Sequence, residues 1–101
     1  MSKPSLQLLQ ILALLIEDPN RKFYGLEIIQ ETGVQAGSLY PILAGLEKKG
    51  LVVSEWEDIN EQEAKRRRRR YYQITLRGVK YAEAELNSAL RPIAKRIGWV
   101  S

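Results

Sequence analysis

The chain has 101 residues, of which 45% are hydrophobic and 28% are charged, as in one ordinary globular domain. Cysteine and histidine are absent, which excludes disulfides, thiolate or imidazole metal ligands and catalytic triads that use histidine. The net charge of +4 favours an anionic partner. The apolar run at residues 6–16 is too short to span a membrane and lacks the flanks of a signal peptide. We therefore expect a cytoplasmic protein without a membrane partner.

Residues 6–16 predict the first helix. Leu8, Leu12 and Leu15 form an apolar stripe at positions i, i+4 and i+7. Ser5 is the expected N-cap, and the Asp-Pro-Asn segment at residues 18–20 ends the helix. A helix this apolar must be covered on most sides. The sequence leaves open whether it is only a central core helix or a core helix that also meets a second subunit.

Two shorter helices joined by a tight turn predict a helix-turn-helix. The second helix occupies residues 24–32, and Gly33 ends it. The third ends at residues 48–50, and its start is ambiguous. A start capped by Ser38 puts Pro41 in the first turn, whereas a start at Gln35 makes Pro41 kink the helix. Gly45 costs this helix about 1 kcal/mol relative to alanine, so we expect another backbone to approach it.

A β-hairpin and a final helix follow. Residues 51–57 and 66–74 predict its strands, with a polar tip at residues 58–65. We expect Trp56 to be buried against the helices. The final helix is capped by Thr75, and Pro92 predicts a kink or break near Arg91. The predicted fold is mostly α with a small β-hairpin, comprising a winged helix-turn-helix domain at residues 1–75 and a C-terminal dimerisation helix at residues 76–101.

This order of elements indicates double-stranded DNA as a partner, with the third helix in a groove and the hairpin on the flanking backbone. Six consecutive cations at residues 65–70 would attract phosphates. The competing interpretation is that the acidic residues at 55–63 pair with these arginines and neutralise them. Tyr40 is equally compatible with a DNA contact and with packing against the hairpin. The candidate DNA contacts are Gln35, Ser38, Tyr40, Lys48, Lys49, Arg66, Arg67, Arg68, Arg69 and Arg70.

A second partner is predicted to be another copy of the chain. The final helix carries an apolar stripe of heptad-like spacing, with too little remaining chain to cover it. We expect it to pack on the partner's first helix in a symmetric dimer. Trp99, near the end of the chain, is predicted to lie at the same interface. The candidate interface residues are Leu8, Leu12, Leu15, Val79, Ala82, Leu86, Ala89, Leu90, Ile93 and Trp99.

Three segments give the chain a family resemblance: Tyr-Gly-Leu-Glu-Ile at residues 24–28, Gly-Ser-Leu-Tyr-Pro-Ile-Leu at 37–43, and Arg-Arg-Tyr-Tyr-Gln-Ile-Thr-Leu-Arg-Gly at 69–78. With the Leu-Glu-Lys-Lys-Gly-Leu-Val segment at 46–52, the chain resembles the PadR family of bacterial transcriptional regulators over roughly residues 5–90. The resemblance implies a homodimer, each subunit of which reads half of a near-palindromic operator. It also implies that Tyr24, Ser38 and Tyr40 lie at the DNA and that Arg69 and Arg70 belong to the wing.

The chain departs from the family pattern in two places. Ala44 and Gly45 stand where the family usually has basic residues, and the wing tip is acidic rather than rich in glycine and proline. The short C-terminal region resembles the compact branch of the family, whose members can hold planar drugs at the dimer interface. A small-molecule effector is therefore possible, but no residue of the sequence supports one. We predict no cofactor and no metal.

The expected function is that of a sequence-specific transcriptional regulator, most simply a repressor. A winged-helix module for protein interaction or replication control is the alternative. We do not expect an enzyme, because the acidic residues cluster on an exposed hairpin rather than in a buried pair with separated pKa values.

Overall fold

The computed structural model describes residues 4–98, and it confirms the predicted class: mostly helical with a small sheet and a long C-terminal helix. The elements in chain order are α1 (Leu6–Glu17), β1 (Phe23–Tyr24), α2 (Gly25–Thr32), α3 (Ala36–Lys48), β2 (Val52–Trp56), α4 (Glu61–Ala64), β3 (Arg70–Ile74) and α5 (Leu76–Arg96). The three strands form one antiparallel sheet in the order β1-β3-β2. This is a winged helix-turn-helix, in which β2, β3 and the segment between them form the wing.

The predicted helix boundaries are confirmed where a capping residue sets them. The Ser5 hydroxyl accepts a hydrogen bond from the Leu8 amide at 3.1 Å, and the Thr75 hydroxyl accepts one from the Gly78 amide at 3.0 Å. Gly33 ends α2 in the left-handed conformation, with φ of 75°. These capping signals are all within four residues of the helix ends that they mark.

Both helical prolines lie within continuous helices. Helix α3 begins at Ala36 after Gln35, so the start capped by Ser38 is wrong and Pro41 lies inside the helix. Of the kink or break predicted near Arg91, the break is wrong, because α5 runs without interruption through Pro92 to Arg96. Proline removes the hydrogen bond to the carbonyl four residues earlier, and Ser88 is exposed, so water can solvate that carbonyl.

The wing differs most from its prediction. The returning strand begins at Arg70 rather than Arg66, and the polar tip predicted at residues 58–65 contains α4, capped by the side chain of Asn60. Strand β1 was not predicted, since two residues carry no periodicity and become a strand only by pairing with β3. Most of the arginine run therefore lies outside the β-ladder, and strand alternation does not decide which way those side chains point.

The core lies between α1, α2, α3, the sheet and the first half of α5. Fifteen hydrophobic residues are buried there, including Leu12, Phe23, Ile28, Leu39 and Val52. The first turn of α5 passes so close to the segment between α3 and β2 that a Cβ on Gly78 would overlap the Leu51 carbonyl. The expected close backbone approach at Gly45 is wrong within the subunit, because a Cβ there would have no neighbour within 4 Å.

Candidate nucleic-acid interface

Helix α3 presents a face that the subunit leaves open. Leu39, Leu43 and Leu46 turn inward and are buried. The predicted DNA contacts lie on the other side or at the ends: Gln35, Lys48 and Lys49 are exposed, Ser38 is half-buried, and Tyr40 is 46% exposed. Between them the open face carries Gly37, Pro41, Ala44 and Gly45, so the helix surface itself is accessible.

The arginine run divides into two paired residues and a free segment. The guanidinium of Arg66 donates two hydrogen bonds to the Glu57 carboxylate, at 2.6 and 2.9 Å. Arg70 donates to the Ser54 hydroxyl at 2.7 Å and pairs with Glu47 of α3 at 3.4 Å. The predicted neutralisation by the acidic arm is therefore real but limited, and one of the two carboxylates comes from α3.

Three arginines remain available to an anion. Within residues 4–98, no carboxylate lies within ion-pairing distance of the side chains of Arg67, Arg68 or Arg69. The Arg68 side chain donates to the backbone carbonyl of Ile59 at 3.2 Å, and the guanidinium of Arg69 lies over the Tyr24 ring at 4.9 Å. All three residues are exposed. We call Arg67, Arg68 and Arg69 the free wing cations.

Glu57 joins the wing to the start of α2. It is only 8% exposed, and besides Arg66 its carboxylate accepts hydrogen bonds from the Tyr24 hydroxyl at 3.0 Å and the Arg69 amide at 3.2 Å. The Tyr71 hydroxyl lies at 3.5 Å from the carboxylate, and its ring stacks on that of Tyr24 with centroids 4.2 Å apart. A carboxylate with so many donors therefore connects Tyr24, which directly precedes α2, to the free wing cations.

The pKa values at this junction follow from its hydrogen bonds. Donation by Arg66, aided by Tyr24 and by the Arg69 amide, lowers the pKa of Glu57 from 4.5 to about 2, although burial opposes the shift. The hydrogen bond with Tyr71, followed by burial and Glu57, raises the pKa of Tyr24 from 10.0 to about 12. At neutral pH the carboxylate is therefore charged and the Tyr24 hydroxyl keeps its proton.

Aromatic side chains surround a surface cavity beside the free wing cations. Tyr24, Tyr40, Trp56 and Tyr72 line it, and its volume is about 390 Å³. Gly25 makes the position of Tyr40 possible, since a Cβ there would overlap the tyrosine hydroxyl. The prediction that Trp56 is buried is wrong: it is 59% exposed, because it occupies the last register position of the wing opposite Arg70, whose guanidinium lies 5.5 Å from its ring.

The predicted dimer residues fall into three groups. Leu12, Leu15 and Ala82 are at most 1% exposed, so they belong to the core of their own subunit and cannot contact a partner in this conformation. Leu8, Val79, Leu86 and Ala89 are half-buried, and Leu90 and Ile93 are 55% and 58% exposed. Ile97, one turn further along, is 53% exposed and extends this stripe. Trp99 lies outside the described residues.

Sequence reasoning missed the burial of Glu57 and the exposure of Trp56. Glu57 and Glu55 have the same strand parity, so alternation could not distinguish the buried carboxylate from its exposed neighbour, which pairs with Lys22. Trp56 is an aromatic residue in an apolar strand, and such residues are usually buried.

In the described part of the chain, no cluster of acidic residues is arranged to hold a metal, and no helix is long and apolar enough to cross a bilayer.

Comparison with known proteins identifies the family. The sequence model described as "Transcriptional regulator PadR-like family" matches residues 11–84. The chain belongs to the PadR-like family of transcriptional regulators. This match covers the helix-turn-helix, the wing and the first part of α5, and it confirms the resemblance that the Leu-Tyr-Pro and Arg-Tyr-Tyr segments indicated.

Solved structures agree with this assignment. A PadR family transcription regulator from Clostridium difficile is 26% identical, with a TM-score of 0.71 over 94% of this chain and 97% of that one. A PadR-like transcription factor from Bacteroides fragilis is 24% identical, with a TM-score of 0.68 over 93% and 88%. BpsR of Bordetella bronchiseptica, whose DNA binding is regulated by 6-hydroxynicotinic acid, shares the fold at 13% identity, with a TM-score of 0.67 over 97% and 61%. No curated protein sequence matches the chain significantly.

Proposed function

We propose that this PadR-like regulator is a sequence-specific DNA-binding repressor that acts as a homodimer on a near-palindromic operator. The observation that supports DNA binding most directly is the set of free wing cations. They have no carboxylate within ion-pairing distance in the part of the chain that the structure describes, and Arg68 and Arg69 line the same cavity as Tyr40 of α3. Such clusters bind DNA phosphates, because neutralising the phosphates releases the counterions that are condensed on the DNA.

The two parts of the interface would divide the work of recognition. Gln35, Ser38 and Tyr40 would contact base edges through hydrogen bonds and apolar contacts, which carry sequence information. Lys48, Lys49 and the free wing cations would contact phosphates, which fix position and register. Residues 1–75 would thus supply the DNA-binding domain, and residues 76–101 would supply the dimerisation helix.

The shape of the subunit supports a dimer. Helix α5 has 21 residues and is therefore about 31 Å long, and the molecule measures 56 Å along its longest axis against 24 and 25 Å across. The second half of α5 leaves Leu90, Ile93 and Ile97 more than half exposed. A two-fold partner would cover this stripe together with Leu6 at the start of α1, which is 71% exposed.

A salt titration tests the assignment of the free wing cations. We expect replacement of Arg67, Arg68 and Arg69 by alanine to weaken binding to every DNA sequence. The slope of log affinity against log salt should fall by about 2.7, that is about 0.9 for each phosphate that is no longer neutralised. Fluorescence anisotropy with a labelled random duplex between about 50 and 300 mM salt would measure both quantities.

The matched control removes the same charge from another surface. Lys80, Arg91 and Lys95 lie on α5 rather than on the wing, and their replacement by alanine should leave most of the salt slope intact. Equal losses in the two triple variants would mean that net charge alone drives binding. A wild-type protein without salt-dependent DNA binding would favour the protein-interaction alternative.

Base reading by α3 needs a separate measurement. Ser38→Ala or Tyr40→Ala should reduce discrimination between a selected site and random DNA by about 1–3 kcal/mol for each base interaction removed. The selected site would come from repeated enrichment of a random duplex library on the wild-type protein. Both variants should keep the wild-type salt slope, because neither side chain carries a charge that neutralises phosphate. An unchanged preference for the selected site in both variants would contradict base reading by these two residues.

A further inference from the structure

We propose that Glu57 is a positioning residue of the DNA interface, which holds Arg69 and the neighbouring free wing cations in the arrangement that meets phosphates. The inference rests on the proposed DNA-binding function. It is counter-intuitive on charge alone, because a carboxylate beside a phosphate-binding surface repels DNA, and its removal should strengthen binding.

The first argument is the lack of regular structure in the segment that carries the cations. Residues 66–69 belong neither to α4 nor to β3, so neither a helix nor a sheet ladder fixes their backbone. Two glutamates hold it instead: the Glu61 carboxylate accepts from the Arg68 amide at 3.3 Å, and Glu57 holds Arg69 through both its backbone and its side chain. Its backbone amide donates to the Arg69 carbonyl at 2.8 Å, and its carboxylate accepts from the Arg69 amide at 3.2 Å. The loop between residues 57 and 69 is thereby closed at its base.

The second argument concerns the side chain of Arg69. Its guanidinium lies over the Tyr24 ring at 4.9 Å, and the hydroxyl of that ring donates to Glu57 at 3.0 Å. Tyr71 stacks on the same ring and hydrogen-bonds to the Tyr24 hydroxyl. Glu57 therefore orients the aromatic surface on which Arg69 lies as well as the Arg69 backbone. Because Tyr24 directly precedes α2, this network also ties the wing to the helix-turn-helix.

The third argument explains why a carboxylate can occupy this place. Arg66 neutralises it with two hydrogen bonds from one guanidinium, so this member of the arginine run is committed inward. Arg66 also donates to the Arg67 carbonyl at 3.2 Å, which holds the next residue of the segment. One arginine thus stabilises the buried charge, and the segment that follows presents the free wing cations outward.

The test compares two substitutions that make the same change in net charge. Glu57→Gln and Glu55→Gln each remove one negative charge from the same stretch of chain, but Glu55 is exposed and pairs with Lys22 at the surface. If charge alone matters, both variants bind random DNA more tightly than wild type. If Glu57 positions Arg69, Glu57→Gln binds more weakly while Glu55→Gln does not. The expected loss is about fivefold at ~0.15 M salt for each phosphate that is no longer neutralised, with a salt slope lower by about 0.9.

A double-mutant cycle distinguishes positioning from general destabilisation. If Glu57 acts through Arg69, Glu57→Gln should cause much less additional loss of affinity in an Arg69→Ala background than in wild type. Circular dichroism below the melting temperature would establish that each variant is folded. Should Glu57→Gln fail to fold, Tyr24→Phe replaces it, since this change keeps the ring under Arg69 but removes the hydroxyl bond to Glu57. It should lower the affinity and the salt slope in the same direction.

The outcomes separate this proposal from the one on which it rests. If the affinity of the wild-type protein for DNA does not fall as the salt concentration rises, the proposed DNA-binding function is contradicted. The positioning role alone would be overturned by a different result. In that result the wild-type protein shows the expected salt slope, and the Glu57→Gln variant is folded, binds as tightly as Glu55→Gln and keeps the wild-type slope. A Tyr24→Phe variant with wild-type affinity would overturn it in the same way if Glu57→Gln is unfolded.

Discussion

Helix α1 and the second half of α5 both carry apolar stripes at helical spacing, yet the subunit covers only one of them. In α1, Leu12 and Leu15 are at most 1% exposed because α2, α3, α5 and the sheet surround them. In α5, Leu90 and Ile93 are more than half exposed because the helix runs past the end of the core. The period of a stripe shows which face of a helix is apolar, but only the neighbouring elements decide whether the same chain buries it.

The strongest way to break this comparison is to shorten one leucine from each helix. Leu12→Ala should lower the free energy of unfolding by about 2–5 kcal/mol, since the side chain is fully buried and its removal leaves a cavity. Urea denaturation followed by circular dichroism would measure the loss.

Leu90→Ala is the matched substitution on the open stripe. We expect it to weaken self-association while leaving the fold of the subunit intact, so the sedimentation profile should shift towards monomer at micromolar concentration. The melting temperature of wild type should rise with protein concentration, and that dependence should shrink in the variant. A wild-type protein that sediments as a monomer throughout this range would contradict the proposed dimer.

The same distinction explains which parts of the fold are predictable from the sequence. Ser5, Gly33 and Thr75 act on their own helix ends, so the start of α1, the end of α2 and the start of α5 follow from short-range rules. Strand β1 exists only because Phe23 and Tyr24 meet Tyr72 and Tyr71 across the sheet, and no local signal reports such a pairing. The break that was one alternative near Arg91 is wrong because a proline removes only one helical hydrogen bond, and the cost of that loss depends on the surroundings of the freed carbonyl, which the local sequence does not report.

In the candidate site, too, some features follow from the local sequence and others depend on tertiary contacts. The arginine run is visible in the sequence, because like charges in succession need no structure to be noticed. Which arginines are free is not visible there, since Arg66 meets Glu57 only when the wing itself folds and Arg70 meets Glu47 only when the wing packs beside α3. The exposure of Trp56 likewise depends on where the ladder ends.

The buried carboxylate of Glu57 extends the comparison of covered and uncovered side chains from leucines to a charged group. The folded-state pKa of Glu57 is lowered from 4.5 to about 2, chiefly by Arg66. The stability that it contributes is therefore fully present above the unfolded-state pKa and is lost as the pH falls from about 5 towards 2. The urea midpoint of wild type should exceed that of Glu57→Gln at neutral pH, and the two should approach each other as the pH falls through this window.

The surroundings of Glu57 make this window specific. The groups that face its carboxylate are the Arg66 guanidinium, the Tyr24 and Tyr71 hydroxyls and the Arg69 amide, and none of them is a second carboxyl group. Glu55→Gln serves as the control, since its exposed ion pair should add little stability at any pH. A midpoint difference between wild type and Glu57→Gln that stays constant across the window would refute the assignment.

The smallest expected change in stability comes from alanine substitutions at two glycines that both face open space. A Cβ on Gly45 or on Gly33 would have no neighbour within 4 Å, so packing cannot distinguish the two positions. Gly45 lies within α3, where alanine is favoured over glycine by about 1 kcal/mol, so Gly45→Ala should stabilise the free protein. Gly33 has φ of 75°, where a Cβ is strained, so Gly33→Ala should destabilise it by about 1–2 kcal/mol. Thermal melts of the two variants should therefore shift in opposite directions. A loss of stability in Gly45→Ala would show that another surface covers α3 in the free protein, and the proposed DNA interface would then have to be uncovered before it could bind.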